Sequence, residues 1–407
     1  MSLVSSMFAG VSGLRGNSQA LQVIGDNISN VNTVGFKGSD TIFGDILSTV
    51  LANGSTTMQF GRGTLLNNVT QSFEQGALEN TSNATDLALD GSGFFIVNNG
   101  SGNFYTRAGQ FRLNSSGILA DPNANSVQGF AITSGVTATS LSNIDLTGVQ
   151  SQPSATTTFT LGANLDARAA SGTTTFTSPI TIYNSVGQEV ILSITFTKAS
   201  GNSWSYNATT NVGTVTSASG TVSFNTSGQL TAPTTEPTIT IDYSSASPPA
   251  AAQSITWDLL DATGATNGEL TGFAAASNNN SIVQDGFATG TLTGLSVDTD
   301  GIISGLFNNG QSQQLFQVAL ADFLSPEGLN RVGQNLFSVS AESGQPVIGA
   351  AKTGGFGSIL GSSLELSNVD LANEFVTLIQ TQQAFQASSR IITTVDDLLT
   401  EAVNLKR

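Results

Sequence analysis

The sequence predicts a mainly β protein with long terminal α-helices, the helices pairing as a coiled-coil-like core and antiparallel β domains inserted between them. Three observations lead there. Apolar residues recur at three-then-four spacing at both ends of the chain and alternate with Ser and Thr through the middle. Charged residues make up only 10% of the chain, so its surface must be covered largely by hydroxyls and amides, which suits sheets better than charged helices.

At the N-terminal end, Val4, Met7, Val11, Leu14, Leu21 and Ile28 form the stripe, with Ser18 and Gly25 in the remaining seam positions and Phe8 and Ile24 widening it. That is the pattern of a coiled-coil seam. The helix should end before Asn30–Gly35, where Asn, Thr and Gly cluster. The C-terminal end mirrors it through Leu371, Phe375, Leu378, Phe385, Ile392 and Leu399, with Gln382, Ser389 and Asp396 in the gaps. Val395, Leu398 and Val403 carry an adjacent apolar row. Ser367 or Asn368 can cap this helix, Asp370 and Glu374 suit its positive end, and Lys406 and Arg407 its negative end.

Between the helices the period is two. Ile180 and Ile182 flank Thr181; Val190, Leu192, Ile194 and Phe196 face one way; Val222 with Phe224, and Ile239, Ile241 and Tyr243, repeat the pattern. These predict half-buried antiparallel strands. Asn99-Gly100, Asn267-Gly268 and Asn309-Gly310 are hairpin-turn signals, while Asn53-Gly54 reads as a loop. Ser244–Ala252 and the Asn run at Ser277–Ser281 read as loops or hinges.

Composition excludes several functions. A net charge of −16, with only Arg168 and Lys198 basic between Arg112 and Arg331, rules against nucleic acid, whose binding needs clustered Lys and Arg, and against an anionic membrane surface. No run approaches the roughly 18 apolar residues of a membrane span, so no direct membrane insertion is expected. The absence of Cys and His removes disulfides, thiol nucleophiles and the usual zinc and haem ligands. Met1–Gly10 lacks the basic start of a secretory leader.

The motif-like fragments have plain readings. Asp298-Thr-Asp-Gly301 has its Gly too early for a calcium loop and reads as a β turn. Gly91-Ser-Gly93 and Gly354-Gly-Phe-Gly357 are too short or mis-spaced for phosphate loops. Asp258 and Asp261 form a carboxylate pair of the kind any acidic protein offers. No catalytic, cofactor-binding or metal-binding residue is expected, so the reading is of a protein that is not an enzyme.

The sharpest local signal runs from Asp26 to Lys37 and contains Asn27, Asn30, Thr33, Gly35, Phe36 and Lys37. Physically it is a helix exit: amides compete for backbone hydrogen bonds, Gly35 permits a turn and Phe36 anchors the chain beyond it. The segment resembles the signature of the axial proteins of bacterial flagella, the rod and hook subunits. So do Leu366–Phe375 (with Ser367, Asn368, Val369 and Asp370), Gln382–Ala387 and the ending Asn404–Arg407. Leu89–Phe95 and Tyr105–Phe111 are similar to a stretch shared by both kinds of subunit. The long β insertion from about Gln150 to Asn280, with Thr181–Gly187 and Trp204, is similar to the outer domain of hook subunits.

The resemblance implies a structural subunit of the hook, polymerising into a flexible curved tube that transmits torque from rod to filament. A distal rod subunit is the nearest alternative, and a β-rich adhesin or surface-layer protein a more distant one. It implies a terminal core domain at 1–30 and 368–407, connecting segments at 31–78 and 356–367, an inner β domain at 79–148 and 281–355, and an outer one at 149–280. The two apolar seams can be buried as an antiparallel pair within one chain or be completed by neighbouring subunits; the resemblance implies the second, in a helical homopolymer whose terminal helices are poorly ordered in the free subunit and fold on assembly. The implied partners are the distal rod protein, hook cap protein, hook–filament junction protein and flagellar type III export apparatus. Location would be extracellular, reached without a cleaved signal peptide. Gln380, Gln382, Gln383 and Gln386 would be a solvated helix face or the lining of a polar channel.

Overall fold

The computed structural model describes residues 3–47, 49–53, 56–261 and 263–404; side-chain surroundings are described for the same residues except 3, 4, 49–53, 56–60 and 402. Two helices bracket a β-rich chain: α1 (Leu3–Ser29) and α2 (Leu371–Asn404). Neither is long and apolar enough to cross a membrane. The chain divides into two compact units, one of Met1–Gly148, Leu295–Gly305 and Gln313–Arg407, the other of Val149–Gly294 and Leu306–Ser312.

In the first unit, strand Ser126–Thr133 lies between Ser312–Val318 and Phe94–Asn98, and the sheet continues through Asn103–Thr106, Leu336–Ser338 and Asn330–Gly333. Phe94, Ile96, Tyr105, Phe323 and Phe337 form its core, with Phe73 edge-on to Phe94 and Phe337 at 5.5 Å. The turn at Asn99-Gly100 joins two of these strands as its sequence predicts. A two-stranded ribbon, Ser39–Asp45 against Thr64–Gln71, leaves this body and packs along α1. Farther along the chain, Thr49–Asn53 pairs with Thr56–Phe60 out to Asn53 opposite Thr56. Asn53 thus ends a hairpin where a loop was expected; Gly54 lies outside the described residues.

The second unit packs two sheets around one core. One runs Thr175–Tyr183, Glu189–Lys198, Ser203–Thr210, Ser219–Phe224, Leu230–Ala232; the other runs Thr214–Ser217, Thr238–Asp242, Gln253–Trp257, Thr158–Asn164, Leu270–Thr271. Every apolar residue assigned inward by period two (Ile180, Ile182, Val190, Leu192, Ile194, Phe196, Val222, Phe224, Ile239, Ile241 and Tyr243) is buried. Trp257 sits at the centre, stacked on Phe159 and edge-on to Phe196 and Tyr206.

Two expectations fail here. Asn278–Gln284 is a strand, not a hinge, because its backbone pairs with Thr158–Asn164 from Phe159↔Gln284 to Asn164↔Asn278. Ladder completion overrides the low strand propensity of Asn, whose side chains stay exposed. Asn267-Gly268 does not turn a hairpin. Leu260 instead bridges Thr266 around a turn anchored by Asp261, and Asn267 donates to the Asp258 carbonyl.

Candidate assembly site: the helix pair and its junction

The helices lie side by side and antiparallel. Asn27 Nδ2 donates to Glu374 Oε1 at 2.9 Å, and seventeen residues back along α1 a Cβ on Gly10 would stand 3.1 Å from Ile392 Cγ1 and 3.3 Å from Ile391 Cγ2. Seventeen residues span about 25 Å of helix. The face of α1 that meets α2 holds small or compact residues: Gly10, Gly13, Ala20, Ile24 and Asn27. Small side chains let the backbones approach closely, as the position of Gly13 beneath Ser388 shows.

The expected N-terminal seam therefore does not face α2. Met7, Leu14, Leu21 and Ile28 stand one residue beyond the inward positions, about 100° around the helix, and remain half-buried. Val11 is exposed, and the Val4 side chain lies outside the described residues. On α2, Leu378, Phe385, Ile392 and Leu399 are half-buried, and the alternating positions turned inward are Glu374, Thr381, Ser388 and the buried Val395. Leu371 and Phe375 are exposed, as are Gln380, Gln382, Gln383 and Gln386. Sequence spacing found the period but placed the second row one residue off, because large apolar residues flank the actual seam.

The motif residues build the junction under this pair. Asn27 is a three-way clamp: besides Glu374 it donates to the Ser39 carbonyl and accepts from Ser39 N. Its burial holds the helix end to the ribbon. Asn30 folds back on Asp26 and accepts from Thr33 Oγ1 at 3.1 Å, closing the helix exit. Gly35 takes φ +68 in that turn, and a Cβ there would stand 2.5 Å from Ala108 N, so only glycine fits. Phe36 is buried, with the Arg331 guanidinium 5.0 Å over its ring.

Lys37 reaches the centre. Its Nζ donates to Glu365 Oε1 at 2.7 Å and to the Glu74 carbonyl at 2.6 Å. Glu365 also accepts from Gly76 N at 2.9 Å and meets Arg107 Nη1 at 3.4 Å, while its carbonyl accepts from Gly35 N. All three charged side chains are 5% exposed or less. Burial holds Lys37 below its ordinary pKa despite the nearby Glu365 carboxylate, and burial lowers Arg107 in the same way. Two cations thus share one carboxylate, and each end of the network is tied to backbone from a different part of the chain.

The C-terminal motif completes it. Asn368 Oδ1 accepts from Gly38 N at 2.8 Å, and its amide donates to the Ser72 and Glu74 carbonyls. Val369 packs over Gly38. The expected cap is corrected by this arrangement: Ser367 and Asn368 are engaged elsewhere, and Asp370 caps α2 by accepting from Ala372 N at 2.8 Å. Lys406 and Arg407 lie outside the described residues. Arg107 lies inside the Tyr105–Phe111 stretch, whereas no sequence motif points to Glu365. The signal available was Lys37 directly after Gly35-Phe36, since a Lys carried inward with a buried aromatic neighbour demands a counter-charge.

Other carboxylates serve turns. Asp298 Oδ1 accepts from Asp300 N and Ile302 N, closing the turn at Gly301. Asp261 accepts from Thr263 and Ala265, hydrogen bonds that hold it below its usual range.

Polar groups consumed by backbone and by one another, under a helix pair with apolar residues still open, define a structural joint rather than a reaction centre. Sequence comparison is consistent with that class. Residues 7–37 match the flagella basal body rod protein family, 88–161 the flagellar hook protein FlgE/F/G D1 domain, 153–287 the flagellar basal body protein FlaE D2 domain, and 361–405 the flagellar basal body rod FlgEFG protein C-terminal family. The chain is 32% identical to the flagellar hook protein FlgE of Treponema pallidum and 33% identical to that of Rhizobium meliloti, covering 100% of each chain in both cases. A crystal structure of Helicobacter pylori flagellar hook protein FlgE2 aligns with 69% of this chain and 98% of its own, at 14% identity and a TM-score of 0.44. The chain belongs to the flagellar hook protein FlgE family: it is a structural subunit of the hook, part of the flagellum outside the cell, and not an enzyme.

Proposed function

We propose that the chain polymerises through its terminal helices into the flexible, curved tube of the hook, which transmits torque from rod to filament. The observation that carries this reading is the surface left over after α1 and α2 meet. Phe8 is 61% exposed, Phe375 50%, Ile379 53% and Leu398 54%. Apolar residues in such rows on both helices have their natural place against neighbouring subunits, through heterologous contacts that need not close into a ring. The antiparallel pair is a coiled-coil-like core, assigned to residues 1–30 and 368–407, within that tube. Residues 31–78 and 356–367 connect it to an inner β domain at 79–148 and 281–355, and 149–280 form an outer domain.

In this reading the outer sheets supply hydroxyl-covered contacts that repack at small cost as the hook bends. The Thr177–Thr195 hydroxyl pair at 3.1 Å, exposed on one face, is typical of that surface. The distal rod protein, hook cap protein and hook–filament junction protein would meet the ends of the tube. The flagellar type III apparatus would export the chain without cleavage of a leader.

Electron microscopy of the purified chain after salt-induced polymerisation tests the reading. Supercoiled tubes are expected. Straight rods would move the assignment to a distal rod subunit, and amorphous material would refute both. Removing Leu371–Arg407 should leave a folded monomer that cannot polymerise, and retained assembly would sink the terminal-helix mechanism. Bulky charge introduced across Thr173–Thr177 should alter curvature, and unchanged tubes would remove the outer domain from the bending mechanism.

A further inference from the structure

A cleft of about 550 Å³ runs between α1 and the Ser39–Asp45/Thr64–Gln71 ribbon. Phe8, Val11, Ile46 and Leu65 give it apolar walls, and Arg15 and Arg62 stand on its lining, which holds no acidic residue. Thr64 N donates to Ser12 Oγ at 3.2 Å and Phe43 packs on Gly16, so both walls are held in place. Among the described residues neither arginine forms an ion pair. Two unpaired arginines beside an apolar trough are notable in a chain with 12 basic and 28 acidic residues.

The same chain carries a surface of opposite character. On the last four turns of α2, Ile391 and Leu398 stand seven positions apart on one side, 46% and 54% open, Ile391 also touching Gly10 of its own α1. Asp397 and Glu401, four positions apart, form an exposed acidic row beside them, on the side of the helix opposite the seam residues Ile392, Val395 and Leu399. These carboxylates form no ion pair among the described residues. The antiparallel register places Ile391 beside Gly10, which carries Asp397 and Glu401 toward the start of α1 and away from Arg15 in the same molecule. Within the chain these carboxylates pair with neither Arg15 nor Arg62 among the described residues.

We infer that the cleft seats the C-terminal turns of α2 from a second copy of this chain, Ile391 and Leu398 entering between Phe8 and Leu65 while Asp397 and Glu401 meet Arg15 and Arg62. This rests on the polymerisation proposed above and specifies which surfaces join. Apolar burial holds the contact, and the charges choose its register and orientation. The contact is heterologous: α1 and the ribbon of one copy receive α2 of the next, which leaves an open site at each end for further growth.

A charge exchange in the full chain tests it, with the critical concentration for polymerisation measured by sedimentation across a salt series and folding checked by circular dichroism. Arg15→Glu with Arg62→Glu should raise the critical concentration about tenfold or more, most at low salt. Adding Asp397→Arg and Glu401→Arg to that variant should bring it back to within about threefold of the unsubstituted chain. Polymerisation of the double variant at the unsubstituted concentration, or no recovery in the exchanged variant, overturns this docking while leaving polymerisation itself intact. Failure of the unsubstituted chain to polymerise overturns the parent reading instead. As a second measurement, the Cys-free chain permits Val11→Cys and Leu398→Cys subunits to be mixed and oxidised. A disulfide between them is expected, and tubes without it overturn the proposed contact.

Discussion

Replacing Glu365 by Gln strikes the centre of the junction. In the intact chain that carboxylate accepts from Lys37 at 2.7 Å and Gly76 N at 2.9 Å and faces Arg107 at 3.4 Å, all out of water. Removing one partner of a buried ion pair costs about 3–5 kcal/mol, because the remaining charge is left uncompensated. Gln retains one acceptor oxygen for Lys37 or Gly76, so a loss of about 3 kcal/mol is expected. With a urea dependence of about 2 kcal/mol per molar, the midpoint falls by about 1.5 M. Lys37→Met should cost less, since it leaves Arg107 and Glu365 as a matched pair.

The molecule supplies its own control for that experiment. Both tryptophans, Trp204 and Trp257, lie in the second unit, whereas both helices lie in the first. Circular dichroism at the helical band should show the shift, and tryptophan fluorescence should not. A helical midpoint displaced by less than about 0.5 M, or an equal displacement of the fluorescence transition, would refute the account of Glu365 as the local keystone.

Gly35→Ala should lower the same helical transition by about 3 kcal/mol, combining a φ that L-residues avoid with a methyl forced onto the Ala108 backbone; a loss below about 1 kcal/mol in urea titration would show that the turn relaxes. Tyr243 has its hydroxyl buried without a protein partner among the described residues, and burial raises its pKa from 10.0 to about 12. A raised folded pKa gives stability that is complete below pH 10 and is lost as pH climbs through about 12. Tyr243→Phe should therefore blunt alkaline unfolding of the second unit, read by tryptophan fluorescence, and an unchanged alkaline limb would count against it. Burial also raises Glu374, with the Asn27 amide opposing that shift and Asp40 adding to it. Its contribution favours folding at acid pH and fades as pH rises through its folded pKa. Glu374→Gln should melt slightly higher than the parent at pH 7, by no more than about 0.5 kcal/mol, and the difference should vanish below the usual carboxylate range.

The second unit was the most legible part of the chain. Period-two alternation placed Ile180 through Tyr243 on the correct faces because a sheet with one wet side imposes that rule locally on every strand. Helix existence and limits were legible for the same reason, α1 ending at Ser29 just before the Asn cluster. The Asn run failed because a distant strand decided its outcome. The Asn run at Asn278–Ser281 extends because Thr158–Asn164 offers it a ladder, and no local preference records that offer.

Sequence alone determined that the chain has two apolar-striped helices, β domains between them, and a helix-exit motif that must be structural. Only the tertiary structure decided which face of each helix turns inward. Burial rewards the closest fit as well as the largest apolar area, and the glycine and alanine row of α1 lets the backbones approach where Met7, Val11 and Leu14 would hold them apart. Only the structure, too, joined Lys37, Arg107 and Glu365, three charges from distant parts of the chain whose meeting depends on a backbone path that spacing along a sequence does not encode.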